Sequence, residues 1–295
     1  MKIVVTGSLG NISKPLAQAL LQKGHAVTII SSSADKIRDI EALGAIAAIG
    51  SLTDTDFLTE AFRGADVLYA MIPPNFYTAD PLSHYETVGN SYAKAIAQSG
   101  MKRVVNLSSW GAHLAEGTGI IVGSHRVEEI LKKLPGVAIT FLRPCSFYYN
   151  LYHYVDMIKN AGFMATNFGG DDKVVMVSTQ DIAAAAAEEI EQFTLSNKIR
   201  YIASDERSCN AVASVLGAAI GKPDLKWLTF PAEQVKENME KNGVPPQIAD
   251  LLIELNAAIG SGLMREDYDL HQPATMGKIK LEDFAREFAI AYHSN

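Results

Sequence analysis

Two cysteines in 295 residues, no apolar run of membrane length and no stretch where lysine and arginine gather set the first bounds on this chain. Cys145 and Cys209 form neither a CxxC pair nor a metal-ligand pattern. A disulfide framework and a metal site are therefore not expected, and two reduced, partly buried thiols in a cytoplasmic protein are. A helix that spans a bilayer needs roughly 18 or more consecutive apolar residues, and nothing here approaches that, so no membrane partner is expected. Lys2 is followed at once by strand residues, unlike a secretory leader. The 26 basic and 33 acidic side chains leave a net charge of −7 without any basic stripe, which argues against a nucleic-acid partner. Internal repeats and low-complexity tracts are missing as well; the alanines at 183–187 read as a helix packed closely on a sheet. What the chain has in quantity is apolar residues, 48% of the total, enough for a packed core and too many for disorder.

Those residues are arranged in two alternating periodicities. Short apolar or β-branched runs lie at Ile3–Thr6, Ala26–Ile30, Ile46–Ile49, Val67–Met71, Val104–Leu107 and Ala138–Leu142. Helical patterns separate them, at Ile12–Lys23, Ala34–Leu43, Asp54–Phe62, Ser83–Ser99 and His125–Leu134, with Gly24, Gly44, Gly64 and Gly100 where a left-handed residue would end a helix. Most runs are apolar throughout, which suits strands covered on both faces. Strand, helix, strand in repetition implies right-handed crossovers and an α/β fold with a doubly wound parallel sheet. After Arg143-Pro144 the pattern loosens. Val174–Val177 and Arg200–Ala203 read as strands around an Ala-rich helix at Ile182–Phe193, and beyond about 205 the chain is mostly helical, broken at Pro245-Pro246 and Gly260-Ser261-Gly262. The expected division is a dinucleotide-binding domain over 1–150, to which about 172–204 return, and a smaller, mostly helical C-terminal lobe made of 151–171 and 205–295.

The first strand runs into Gly7, Ser8, Leu9, Gly10, Asn11 and Ile12, a tight turn at a helix N-terminus. Free N–H groups and the positive end of the helix dipole make such a point an anion site, and glycine lets the backbone approach a pyrophosphate. A tight turn with no ligand is the alternative. Ser13 stands where a small residue is wanted for close helix–strand contact, and Pro15 is tolerable in a first turn. An NAD-selective site places a carboxylate at the end of the second strand, about 20 residues on; here Ser31, Ser32 and Ser33 stand, followed by Asp35 and Lys36. Without that carboxylate a 2′-phosphate is not repelled, and three hydroxyls and Lys36 can receive it, so NADP(H) is favoured over NAD(H). Ser33 can at the same time cap the next helix. Because ligands of open α/β sheets lie beyond the carboxyl ends of the strands, Met71, Ile72 and Pro73, Ser108 and Ser109, and Pro144 are further expected cofactor contacts.

In this order "VTGSLGNI", "NLSSWGA", "HRVEEIL", "ITFLRPCSFYYNL", "VSTQDIAAAAAEEI" and "LEDFAREFAIAYH" resemble the NmrA-like, atypical group of the short-chain dehydrogenase/reductase superfamily, over nearly the whole chain. The resemblance implies a Rossmann-like fold that binds NAD(P). Superfamily members that oxidise alcohols, or epimerise or dehydrate sugars, use a Tyr-x-x-x-Lys pair, in which lysine lowers the tyrosine pKa and tyrosine shuttles the proton. Matching "VEEIL" to that pattern places Ile120 and Ser124 at the two positions, and neither can do this chemistry; Tyr92 is followed by Lys94 only two residues on. Ser108 matches the serine after the fifth strand, but alone it can only orient a carbonyl. A sugar epimerase or dehydratase is thus the weaker reading. Two others stand: an NADPH-dependent reductase of a quinone-like or other electron-poor small-molecule acceptor, by direct hydride transfer, and a non-catalytic NAD(P)-sensing regulatory protein.

Candidate catalytic residues are Ser108, His125 and Tyr148. Flat walls for a planar acceptor are expected from Phe147, Tyr148, Tyr149, Tyr152, His153 and Tyr154, with Trp110 beside them; the alternative for this cluster is a hydrophobic core. Phe163, Met164 and Phe168 carry the same pair of readings. The glycines at 111, 117, 119 and 123 permit loop 110–124 to act as a lid. A homodimer is the one protein partnership kept in view.

Overall fold

The computed structural model describes residues 1–78, 80–192 and 196–294, so Phe193, the expected end of the Ala-rich helix, lies outside the described residues. In the first half the elements are β1 (Lys2–Val5), α1 (Ser13–Gln22), β2 (Ala26–Ser31), α2 (Ile37–Ala42), β3 (Ile46–Ile49), α3 (Thr55–Phe62), β4 (Val67–Ala70), α4 (Pro81–Ser99), β5 (Arg103–Leu107), α5 (Val122–Leu131) and β6 (Ala138–Pro144). There follow β7 (Ser146–Phe147), α6 (Val155–Ala161), β8 (Met164–Thr166), β9 (Lys173–Val177), α7 (Thr179–Glu191), β10 (Lys198–Ile202), β11 (Asp205–Ser208), α8 (Cys209–Ala219), β12 (Trp227–Thr229), α9 (Ala232–Lys241), α10 (Pro246–Gly260), α11 (Arg265–Leu270) and α12 (Leu281–Ser294). Contacts divide them into two units: 1–112, 123–143 and 182–200 in the first, and 113–122, 144–181 and 201–295 in the second.

The first unit holds a seven-stranded sheet in the order β10-β6-β5-β4-β1-β2-β3. Pairing is parallel from β6 through to β3, with Ile3 beside both Val27 and Val67. Successive crossovers run outward from β1 to β2 and β3, then return to the other side at β4. The order therefore reverses between β1 and β4, and the carboxyl ends of those two strands frame the crevice where such sheets take ligands. All four residues of β4 and all seven of β6 are buried, as the unbroken apolar runs require. At the edge this fails: Ile46 of β3, the last strand in the order among the described residues, is 63% exposed. Leu58 and Phe62 of α3, Val88, Tyr92 and Ile96 of α4, and Val127 and Leu131 of α5 close one core with Val4, Leu68 and Phe141 of the sheet. Helix ends follow the sequence signals. Gly24, Gly44, Gly64 and Gly100 all have φ between 72° and 90°, and the Asp54 and Asp80 carboxylates accept first-turn amides of α3 and α4.

The second unit has strands that periodicity did not separate from the large sheet. β9 forms where Val174–Val177 is expected, but it pairs antiparallel with β11 and parallel with β7 in a three-stranded sheet. Within the expected 172–204 return, β10 (Lys198–Ile202) joins the large sheet, whereas β9 does not. β8 and β12 form a parallel pair. Asp181 fixes the C-terminal segment: its carboxylate accepts the Ser204 hydroxyl at 2.7 Å and the amides of Lys278 and Ile279 at 3.0 and 3.1 Å. A side chain at Gly277 would collide with that carboxylate. Gly119 has a similar duty. Its left-handed φ of 57° and its position against the Leu251 carbonyl of α10 leave no room for a Cβ, so this glycine of the expected lid serves close packing instead.

Burial pushes the phenols of Tyr69, Tyr92, Tyr148, Tyr154 and Tyr268 well above their ordinary value, and that of Tyr85 up to about 12. A group whose folded pKa is raised stabilises the fold fully below its unfolded pKa and ceases to do so as pH climbs through the folded value. Stability is therefore expected to fall steeply above pH 10, the unfolded tyrosine value. Tyrosinate absorbance of these groups should rise together with the loss of far-ultraviolet ellipticity. Full ionisation of all eleven tyrosines with ellipticity unchanged would contradict this burial.

Candidate functional site

The turn after β1 is built for close approach. Gly7 has φ 90°, and a Cβ there would lie 2.5 Å from Ser13 Oγ and 2.8 Å from Met71 Sδ. Ser8, at φ 52°, is left-handed too, unusual for a residue with a side chain. Its amide donates to the Ile30 carbonyl at 3.1 Å and its hydroxyl to Ser31 Oγ at 3.0 Å, tying the turn to β2. Ser13 is more than a small residue: its buried hydroxyl donates to the Thr6 carbonyl at 2.8 Å and locks α1 onto the strand end. Thr6, which sequence reasoning passed over, spans the β1–β4 crevice by accepting the Met71 amide at 2.8 Å. Tyr92 donates to the Met71 carbonyl at 2.7 Å. Between these anchors the amides of Leu9, Asn11 and Ile12 bond to no acceptor among the described residues, and Gly10 and Asn11 are exposed. Unpartnered amides at a helix N-terminus, with no Cβ on Gly7 or Gly10, fit a pyrophosphate.

At the β2 end the three serines have different duties. Ser31 is buried, receives the Ser8 hydroxyl and the Ser33 amide, and donates to the Ser33 carbonyl at 3.3 Å. Ser33 does not cap the following turn as expected; its hydroxyl points instead to the Asp35 carboxylate, at 3.4 Å. Only Ser32 remains exposed with its hydroxyl uncommitted, and Lys36 beyond it is exposed as well. Arg38, also exposed, opens the first turn of α2. Reading two residues past Lys36 would have found this second cation.

Ser108 follows β5, and here the structure redirects the expectation. Its hydroxyl donates to Glu128 Oε1 at 2.6 Å. Glu128 is fully buried and is gripped by Arg143 through Nε at 2.9 Å and Nη2 at 2.8 Å, with Lys132 Nζ at 3.3 Å. The signal for Glu128 was present: with Val127 and Leu131 it lies on the buried face of α5, where a charge must find a partner. Of the other strand-end residues, Ile72 and Pro144 are buried, Met71 and Ser109 half-buried, and Pro73 exposed, its carbonyl 3.2 Å from His84 Nε2. Beyond Pro73 the loop holds Phe76, 38% exposed, and Tyr77, fully exposed, two apolar faces that sequence reasoning did not single out.

The remaining candidates separate. His125 Nδ1 lies 3.0 Å from the Ala112 carbonyl, so it carries the proton there and Nε2 is the nitrogen left for other chemistry. Tyr148 is buried and stacked on Phe284 with centroids 5.4 Å apart; its hydroxyl faces the Ile279 carbonyl at 3.4 Å, and burial holds the phenol neutral. That makes it a poor proton donor. Tyr152 stacks on Phe288 at 5.8 Å and Tyr154 meets Trp227 at 5.0 Å, so most of the expected wall is packing between 148–154 and its own unit. Tyr149 and His153 are exposed and Phe147 half-buried; Trp110 is buried in the first unit. Phe163 packs on Phe230 and Phe168 on Trp227. No group of three or more His, Cys, Asp or Glu among the described residues is placed to hold a metal ion, and no helix among them is long and apolar enough to cross a membrane.

The strand order, the reversal between β1 and β4 and the glycine turn define a Rossmann-like α/β protein. The model of the NmrA-like family matches residues 1–284, and the chain belongs to that family. The NAD(P)H azoreductase of Xenophilus azovorans is 26% identical over 262 residues, 86% of either chain. Among solved structures, the triphenylmethane reductase of Citrobacter sp. shares a TM-score of 0.81 at 20% identity, over 98% of this chain and 100% of that one. An NADPH-dependent quinone oxidoreductase of Escherichia coli, solved with NADPH, gives 0.81 at 20% identity over 97% and 99%. At that identity the two solved structures speak for the fold.

Proposed function

We propose that this chain is an NADPH-dependent reductase of planar, electron-poor small molecules, working in the cytoplasm. The observation that carries the reading is the turn at Gly7–Ile12, whose free amides and missing side chains suit a dinucleotide pyrophosphate. Ser32, Lys36 and Arg38 would receive the 2′-phosphate, since no carboxylate ends β2 to repel it. When bound, the reduced nicotinamide supplies the hydride. The chain's own part is to hold it past β4 and β5 and to exclude the alternatives. None of the eleven tyrosines is followed four residues on by lysine, and the Ser108 hydroxyl already donates its hydrogen bond to Glu128. Acceptors that take hydride without a protein acid therefore suit this chain better than sugar carbinols or simple ketones. The names of its relatives, reductases of azo compounds, quinones and triphenylmethane dyes, support the reading.

The test is NADPH absorbance decay with a naphthoquinone, an azo dye and a cationic triphenylmethane dye, beside equilibrium titrations of NADPH and NADH. Consumption with at least one acceptor and tighter binding of NADPH are expected. Tight binding with no consumption across the panel would turn the reading to a nicotinamide-sensing regulator, and a preference for NADH would remove the role given to Ser32, Lys36 and Arg38.

A further inference from the structure

Resting on that reading, we infer that Ser108 is a fixed hydrogen-bond acceptor for the carboxamide N–H of the bound nicotinamide, with Glu128 as the positioning residue that fixes its polarity. A carboxylate held by an arginine in two-point contact and by a lysine can only accept, so the short contact between Ser108 Oγ and Glu128 Oε1 has one polarity: serine donates. Its proton is committed inside the unit, and what the oxygen has left for a ligand is lone pairs. This reverses the duty expected of a serine at this place, which was to orient a carbonyl by donating to it.

Position selects the N–H it meets. Ser108 follows β5 directly, and its amide donates to the Leu142 carbonyl of β6 at 2.8 Å, which fixes its backbone at the strand end. In the sheet β5 lies two strands from β1, with β4 between. At strand spacings of 4.7–4.9 Å this sets Ser108 about 10 Å from the pyrophosphate turn. The adenosine half takes the β2 side, where the serines and Lys36 stand, so the nicotinamide half takes the β4–β5 side. The ribose, joined directly to the phosphate, comes first, and the ring with its carboxamide reaches further. An acceptor locked at that distance holds the carboxamide by its N–H and thereby fixes the rotation of the ring.

Two coenzymes separate this role from every other. NADP⁺ has a carboxamide; its 3-acetylpyridine analogue keeps the carbonyl and the ribose but has no N–H. Calorimetric titration of wild type and Ser108→Ala with each is the experiment. The variant leaves the Arg143 and Lys132 contacts of Glu128 in place, and its melting temperature checks that the fold is kept. A lost hydrogen bond of ordinary strength gives about three- to tenfold weaker binding, expected for NADP⁺ alone, with the analogue changing less than about twofold. Equal losses on both coenzymes would mean that Ser108 serves the ribose or donates to the carbonyl, and no loss on either that it does not touch the ring; either result overturns the inference. If wild type binds neither coenzyme, it is the proposed function that falls.

Discussion

Gly10→Val is expected to abolish coenzyme binding while the protein stays folded. Gly10 is exposed and its φ is not left-handed, so a side chain there strains the fold less than one at Gly7 would. A Cβ would nevertheless stand 3.0 Å from the Gly7 carbonyl, and valine adds two methyl groups within the turn whose amides at Leu9, Asn11 and Ile12 carry the proposed site. Hydrogen bonds to a charged ligand contribute about 1.5–3 kcal/mol each. Losing two of them weakens binding by a factor of about a hundred or more. Gly7 is the poorer place for this test, because its positive φ and its contacts with Ser13 and Met71 would confuse lost binding with lost structure. Titration of NADPH into the variant, with thermal melting beside it, should show affinity gone and the melting temperature nearly unchanged. Wild-type affinity in Gly10→Val would show that the turn is not where the ligand's charge sits.

The second large effect concerns stability. Arg143→Ala leaves the carboxylate of Glu128, 0% exposed, with Lys132 and a hydroxyl in place of its two-point partner. Breaking a buried ion pair from one side costs about 3–5 kcal/mol, whereas replacing both partners by apolar residues of similar volume is often neutral. The single variant should melt on the order of 10 °C lower. The double variant Arg143→Met with Glu128→Leu should recover most of that loss. A double variant as unstable as the sum of the two singles would show that the pair stabilises the fold outright.

The parts of this protein that sequence made legible are those decided locally. Helix ends at Gly24, Gly44, Gly64 and Gly100 depend on backbone freedom at one residue, and all four take the left-handed conformation. The strands of the large sheet were legible because strands buried on both faces are apolar without alternation. The places that misled depend on partners far along the chain. Tyr148 and Tyr152 read as a ligand wall until Phe284 and Phe288, more than a hundred residues on, pack against them. β9 has the composition of a large-sheet strand, and only its pairing with β11 shows otherwise. Ser33 misled for a local reason: its hydroxyl points to the Asp35 carboxylate, two residues on, and makes no bond to a first-turn amide. At Ser108 the sequence shows a serine after β5 but not which way its hydroxyl bonds, because Glu128 and Arg143, which set that polarity, lie on other elements.

The proposed activity depends on a dinucleotide lying in the turn between β1 and α1, and a crystal structure of the protein with NADP⁺ tests this most directly. The pyrophosphate should lie about 2.7–3.2 Å from the amides of Leu9, Asn11 and Ile12, with the 2′-phosphate toward Ser32 and Lys36 and the nicotinamide carboxamide at Ser108. An empty turn in crystals grown with excess coenzyme, or a coenzyme bound elsewhere on the chain, would contradict it.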